Sequence, residues 1–188
     1  IFDQNELINS FQFKQVQKKS AVFDEKKLLW ISQQHLSEMS VRDLMNEIYT
    51  LNPEWGDGLE WDYLKEVVKL IKDRSKTITE ITSMSEIFFK DKLEYDIDLL
   101  NKTFNDKSIA IIKDFQSALS SIEDWSRVEI EKIFEDIMEQ HEVAIGQVMK
   151  PVRVAISGIP FGPGIFDLIL LLGKEICQIR LRHALSVI

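Results

Sequence analysis

Apolar residues recur at intervals of three and four along most of the chain, the spacing that lines one face of an α-helix. Leu28, Leu29, Ile31 and Leu36 form the first such line. Asp24 stands before it with the chemistry of an N-cap, and Trp30 is expected in the core. Ser40 then precedes Val41, Leu44, Met45, Ile48 and Tyr49, and Asn52-Pro53 and Gly56-Asp57-Gly58 interrupt the pattern. Leu64, Val67, Val68 and Ile71 repeat the helical spacing up to Lys72-Asp73-Arg74-Ser75-Lys76-Thr77, where Thr77 with Glu80 fits a capping box for another helix. Arg74 is thereby predicted to lie between two helices.

Beyond Glu94 the period stays helical. Ile112, Phe115, Leu119 and Ile122 make one stripe, and Ile130, Ile133, Phe134, Ile137 and Met138 another, with Ser126 and Glu129 spaced as a capping box. Glu131, Glu135, Asp136, Glu139 and Glu142 fall opposite that last stripe and read as a solvated face. Ile165, Leu168, Ile169, Leu172, Ile176 and Ile179 predict a long apolar helix near the end. Only Val152–Ile156, rich in β-branched residues, suits an extended strand. It has no partner strand in the pattern, so helix is favoured there with the extended form left open. The fold class expected is all-α, with no internal repeat and no low-complexity tract.

At 188 residues and 45% hydrophobic, the chain can bury one large core or two small ones, and its four Trp and eleven Phe argue against disorder. Its single cysteine, Cys177, excludes an internal disulfide, suits a reducing compartment, and sits where a thiol packs as a small hydrophobe. The longest apolar run, Ile165 to Leu172, is broken by Asp167 and is far too short to span a bilayer, so no membrane role is expected. The chain opens on Ile1 without a signal-peptide pattern, so a piece of a longer protein is expected. The net charge of −8 is unevenly spread. Residues from 150 onward carry Lys150, Arg153, Lys174, Arg180 and Arg182 against Asp167 and Glu175, a surplus of +3 that leaves −11 on the rest. Ionic screening over about 8–10 Å allows such an end to meet phosphate despite an acidic body.

Catalytic chemistry is hard to find. His35, His141 and His183 are scattered, and Glu139, His141 and Glu142 lack the i, i+4 spacing that places two metal ligands on one turn. There is no phosphate loop with a lysine, no nucleophile elbow and no Cys–His pairing of known spacing. Neither a catalytic residue nor a metal ligand is assigned. The distinctive stretch is Lys150 to Phe166, KPVRVAISGIPFGPGIF, in which Gly162-Pro163-Gly164 makes a tight corner before the apolar helix. Proline suits a first helical turn, and glycine lets a ligand approach the backbone. A bare backbone corner beside the guanidinium of Arg153 results.

Those residues resemble the C-terminal end of bacterial glutamyl-tRNA synthetases, a family of class I aminoacyl-tRNA synthetases. The match runs through Lys150-Pro151, Arg153, Ala155-Ile156-Ser157-Gly158, Pro163-Gly164-Ile165-Phe166 and Leu172-Gly173-Lys174-Glu175. Ala21-Val22-Phe23-Asp24 with Lys27, Leu28 and Trp30 is similar to the family's stem-contact segment, although the family has Pro between Ser20 and Ala21 and Asn in place of Ser32. The run from Leu70 through Arg74 to Lys76-Thr77 resembles the family's entry into its anticodon-binding part. The resemblance implies a stem-contact helical segment over 1–39, a first anticodon-binding helical subdomain over 40–93 and a second over 94–188.

It also implies function. Arg74 matches the arginine that reads the third anticodon base and separates glutamate from glutamine anticodons. Arg153, Pro160, Gly162, Pro163 and Ile165 match positions gathered around the first two bases. The family often has Thr where Gly162 stands, so a hydroxyl contact is lost there. Anticodon bases are unstacked and can be read along their edges by a few side chains, one bidentate contact giving roughly 1–3 kcal/mol of discrimination. The implied partner is glutamate tRNA, held at its anticodon stem-loop and inner corner, with no DNA and no membrane. The implied protein is a cytoplasmic monomer. ATP with Mg²⁺ is expected only for the catalytic domain of the parent ligase, and no cofactor for this part. Without the resemblance Arg74 would serve a helix C-terminus and the Gly-Pro-Gly run would be turn chemistry.

Two other functions fit the pattern less well. A helical protein–protein interaction scaffold, non-enzymatic, predicts exposed Leu170 and Leu171. A helical enzyme domain requires His141, its acidic neighbours and His35 to meet in one pocket.

Overall fold

The computed structural model describes every residue except Lys18 and Ala21, so the Ala21 position of the stem-contact motif lies outside the described residues. Its elements are α1 (Gln4–Ser10), α2 (Glu25–Glu38), α3 (Val41–Leu51), α4 (Trp61–Ile71), α5 (Ile78–Ser85), α6 (Ile97–Thr103), α7 (Asp106–Ser121), α8 (Arg127–His141), α9 (Ile145–Ser157) and α10 (Ile165–Val187), with three short 3₁₀ turns and no strand among the described residues. The fold is all-α. Val152–Ile156 belongs to α9, with Pro151 inside that helix. Val152, Val154 and Ile156 are all buried because α9 is packed on several sides by α6, α7, α8 and α10, so the extended alternative falls away.

The helix starts obey the local chemistry of their sequences. Asp24, Ser40, Thr77 and Ser126 each accept a hydrogen bond from the backbone amide three residues on. The apolar stripes become two packed groups. In one, α3, α4 and α5 close over Leu44, Met45, Ile48, Leu64, Val67, Val68, Ile71 and Ile81. In the other, α7, α8, α9 and α10 close over Ile112, Phe115, Ile130, Phe134, Val152, Ala155 and Leu168. Contact between α4 and α10 joins the two groups. Leu170 and Leu171 are partly buried beside Leu70 rather than freely exposed, and the carbonyl of Leu170 accepts from the Trp125 indole at 3.2 Å.

Two expectations from the apolar pattern fail for clear reasons. Trp30 is 53% exposed, and Leu36 is the one buried residue of α2, because no other described element covers that helix's first turns. The final apolar stripe is not one continuous face. Gly173 takes φ 80, ψ 165, a conformation open to glycine, and breaks the winding of α10. Before the break Ile165, Leu168, Ile169 and Leu172 are buried, and after it Cys177, Arg180, Leu181 and Ala184. The inward face has shifted by one residue from the expected Ile176 and Ile179, which carries Arg180 into the core.

Arg180 is 0% exposed and has no acidic partner within ion-pair reach. Its guanidinium donates instead to the carbonyls of Ile156 at the end of α9 and of Ile87, Lys90 and Asp91 after α5. Those helix ends carry partial negative charge, so they hold the cation without a carboxylate. Lys72 treats the end of α2 alike, reaching the carbonyls of Ser37 and Met39 at 2.9 Å. Lys174 reaches the carbonyl of Ile122 at 2.6 Å, just past α7. Two of the five cations counted after residue 150 therefore serve helix ends and not an open surface.

Candidate nucleic-acid interface

The residues singled out by the sequence meet at the turn between α9 and α10. Arg153 projects from the last turns of α9, and its Nη1 donates to the carbonyl of Pro163 at 2.8 Å. Arg74 ends the 3₁₀ turn Lys72–Arg74 after α4, and its Nη1 donates to the carbonyl of Gly162 at 3.1 Å. Two arginines from opposite halves of the chain thus hold consecutive carbonyls of one loop. Each recorded bond uses one of a guanidinium's five N–H groups and leaves the planar fork oriented.

Arg74 is exposed and Arg153 half-buried. Burial pushes the Arg153 guanidinium below its ordinary pKa, and the facing positive charge of Arg74 pushes it further the same way. Two like charges gathered on one loop favour an approaching polyanion.

The loop is rigid at both ends. Ser157 Oγ shares its single proton between the carbonyls of Arg153 and Ile159 (2.8 and 3.1 Å) and accepts from the amide of Ile159 at 3.4 Å. Gly158 closes α9 in the left-handed conformation, its amide bonded to the carbonyl of Val154. Gly162 adopts φ 146, a backbone state that disfavours any side chain, so a glycine is matched to the loop's conformation there. Pro160 is half-buried, Pro163 buried, and Ile165 3% exposed. The side chains of Pro163 and Ile165 shape the corner from beneath. The amide of Ile165 starts α10 and so lacks a partner within the helix.

Two neighbours had little signal in the sequence. Phe161 stands 82% exposed at the tip of the loop. Its one clue was an aromatic residue between Pro160 and Gly162, outside any apolar stripe. Arg127, at the start of α8, lies over the Phe166 ring, 5.3 Å from its centroid, and pairs with Asp167 at 2.8 Å and Glu131 at 2.7 Å. The hydrogen bond to Glu131 and the charges of both carboxylates raise its pKa. Nothing in the linear pattern forecasts this pair, because Asp167 is forty residues away.

The other candidates are dispersed. His141 bonds Asp114 at 2.7 Å, His183 stacks at a tilt on Tyr95, and His35 is exposed on α2. Among the described residues no group of three or more His, Cys, Asp or Glu side chains is placed to hold a metal ion, and no helix is long and apolar enough to cross a membrane. Cys177 is buried, and desolvation pushes its thiol up to about 12.

The chain as a whole is similar to known proteins. Residues 32–185 match a family described as "Anticodon binding domain". A glutamate–tRNA ligase of Flavobacterium johnsoniae is 30% identical over 188 residues, covering 100% of this chain and 37% of that protein. The glutamate–tRNA ligase of Desulforudis audaxviator is 33% identical over 195 residues, covering 98% of this chain and 39% of its own length. Among solved structures, a glutamate tRNA ligase of Elizabethkingia meningosepticum, crystallised with its amino acid, superposes with a TM-score of 0.81 at 25% identity, over 97% of this chain and 36% of that one. The glutamate-tRNA synthetase of Elizabethkingia anophelis shares the fold, with a TM-score of 0.77 at 24% identity over the same share of each chain. The chain thus spans well under half the length of the relatives it matches.

Proposed function

The chain belongs to the anticodon-binding domain family, and from that premise we propose that it is the tRNA-selecting part of a glutamate–tRNA ligase. The parent enzyme would attach glutamate to its tRNA at the expense of ATP, in the cytoplasm and as a monomer. This part would hold the anticodon stem-loop and contact the inner corner of glutamate tRNA. The stem-contact segment would occupy 1–39 and the two anticodon-binding subdomains 40–93 and 94–188. The observation that carries the proposal is the convergence of Arg74 and Arg153 on the consecutive carbonyls of Gly162 and Pro163.

In mechanism, the arginines hold the loop, and their remaining N–H groups would be the donors offered to the RNA. Arg74 would donate to acceptor edges of the third anticodon base. Arg153 and the backbone from Gly162 to Ile165 would meet the first two. Bonds made before RNA arrives reduce the ordering cost of binding, because the side chains are already fixed. ATP with Mg²⁺ would supply activation of the amino acid in the parent's catalytic domain. The chain has no phosphate loop with a lysine, so no step of that chemistry is assigned to its residues.

The test is a fluorescence-anisotropy titration of this chain with stem-loops carrying glutamate and glutamine anticodons. Arg74→Gln is expected to shrink the preference for the glutamate stem-loop by about ten- to a hundredfold, the worth of one bidentate contact. Affinity should also fall as salt rises, since phosphate neutralisation releases counterions. Equal selectivity of mutant and wild type, or a flat salt profile, would contradict the proposal.

A further inference from the structure

We propose that Phe161 is a stacking platform for an unpaired anticodon nucleobase, a role that rests on the tRNA-binding proposal above and adds a contact to it. Phe161 is 82% exposed. Beyond residue 30 the other aromatic ring left exposed among the described residues is Trp61 at 46%, and that ring is already stacked on Tyr49 with centroids 5.8 Å apart and planes 13° apart. Phe161 has no aromatic neighbour of this kind.

Its exposure does not come from a slack loop. On one side Ser157 grips both the amide and the carbonyl of Ile159, and Pro160 fixes φ just before the ring. On the other, Arg74 holds the carbonyl of Gly162 and Arg153 that of Pro163. The phenyl ring is therefore presented to solvent from a pinned backbone, with two guanidinia at its base. An apolar flat surface beside two cations on the same loop matches a polyanion with apolar flat bases. It matches a protein partner's apolar pocket less well, because that pocket would have to desolvate both charges.

Stacking is tolerant of base identity, since every base has a π-face. The division of labour follows. Phe161 contributes affinity for any stem-loop whose anticodon is unstacked, whereas Arg74 contributes the choice between anticodons. This separates the two roles in measurement.

The experiment titrates this chain, as wild type and as Phe161→Ala, Phe161→Leu and Phe161→Trp, with glutamate and glutamine stem-loops. A second set carries 2-aminopurine at each anticodon position in turn, whose fluorescence is quenched on stacking. Phe161→Ala is expected to weaken both stem-loops alike, by about 5- to 100-fold. Phe161→Trp should restore affinity, Phe161→Leu should not, and quenching at one position should vanish in Phe161→Ala. Tight wild-type binding left unchanged in Phe161→Ala, as for a ring that docks a protein, would overturn the stacking role alone. Full rescue by leucine would do the same, since leucine is apolar but not flat. No binding by the wild type would overturn the tRNA-binding proposal itself, and the stacking role with it.

Discussion

Replacing Arg180 by Met tests whether the cations of the C-terminal segment act on RNA or inside the fold. Arg180 is 0% exposed and donates to the carbonyls of Ile87, Lys90, Asp91 and Ile156. Lys90 and Asp91 are exposed residues whose carbonyls can turn to water, but Ile156 is buried and Ile87 half-buried. Two orphaned carbonyls at about 1–3 kcal/mol each set a gross loss of about 2–6 kcal/mol. Against this, methionine removes the desolvation of a guanidinium whose pKa burial depresses, and it refills the volume with apolar contacts. The net expectation is a destabilisation of about 2–4 kcal/mol, or a melting temperature lower by roughly 5–15 °C. Urea melts followed by tryptophan fluorescence and calorimetry measure both. Because the side chain has no surface, the salt slope of stem-loop binding should not change. A stability within about 0.5 kcal/mol of wild type, or a salt slope reduced by about one, would refute the assignment of Arg180 to the interior.

Two further outcomes are open to measurement. Gly162→Ala should destabilise the chain by about 1–3 kcal/mol in urea melts through backbone strain. Steric clash is not the cause, since an added Cβ would meet Ile159 at 3.6 Å and Arg153 at 3.7 Å, ordinary contacts. Gly146→Ala in α9, with open space around it, should be neutral or stabilising, and equal behaviour of the two variants would count against strain at Gly162. Burial holds the Cys177 thiol up to about 12 against an ordinary 9.0, so its contribution to stability is complete below pH 9 and is lost as pH rises toward 12. The phenol of Tyr95, raised from 10.0 to about 12, acts in the same direction. Cys177→Ala is expected to flatten the alkaline loss of stability, and the native thiol to resist a disulfide reagent at pH 8. Rapid labelling of the folded chain would show that the thiol is not buried.

What the sequence alone determined was local. The period of the apolar residues specified the stripes of α3, α4, α7 and α8, because burying one helical face is a property of a short run of residues. Asp24, Ser40, Thr77 and Ser126 announced helix starts for the same reason, since a cap reaches only three residues ahead. The motif around Arg153 and Pro163 pointed to the corner. The sequence left Val152–Ile156 open, because its β-branched residues favour a strand locally while burial inside a helical bundle overrides that preference.

Tertiary structure decided the rest. One glycine, at φ 80, shifted the inward face of α10 by a residue and turned Arg180 from a surface cation into a buried clamp on helix ends. No periodicity reports such a phase change, because it depends on a backbone state that Gly173 permits without requiring. Arg74 and Arg153 met because α4 packs on α10, which brought the Gly162 carbonyl to a guanidinium 88 residues earlier. Which carbonyls those cations hold, and that Phe161 is left bare next to them, follow from the packing of helices whose faces the sequence specifies but whose neighbours it does not.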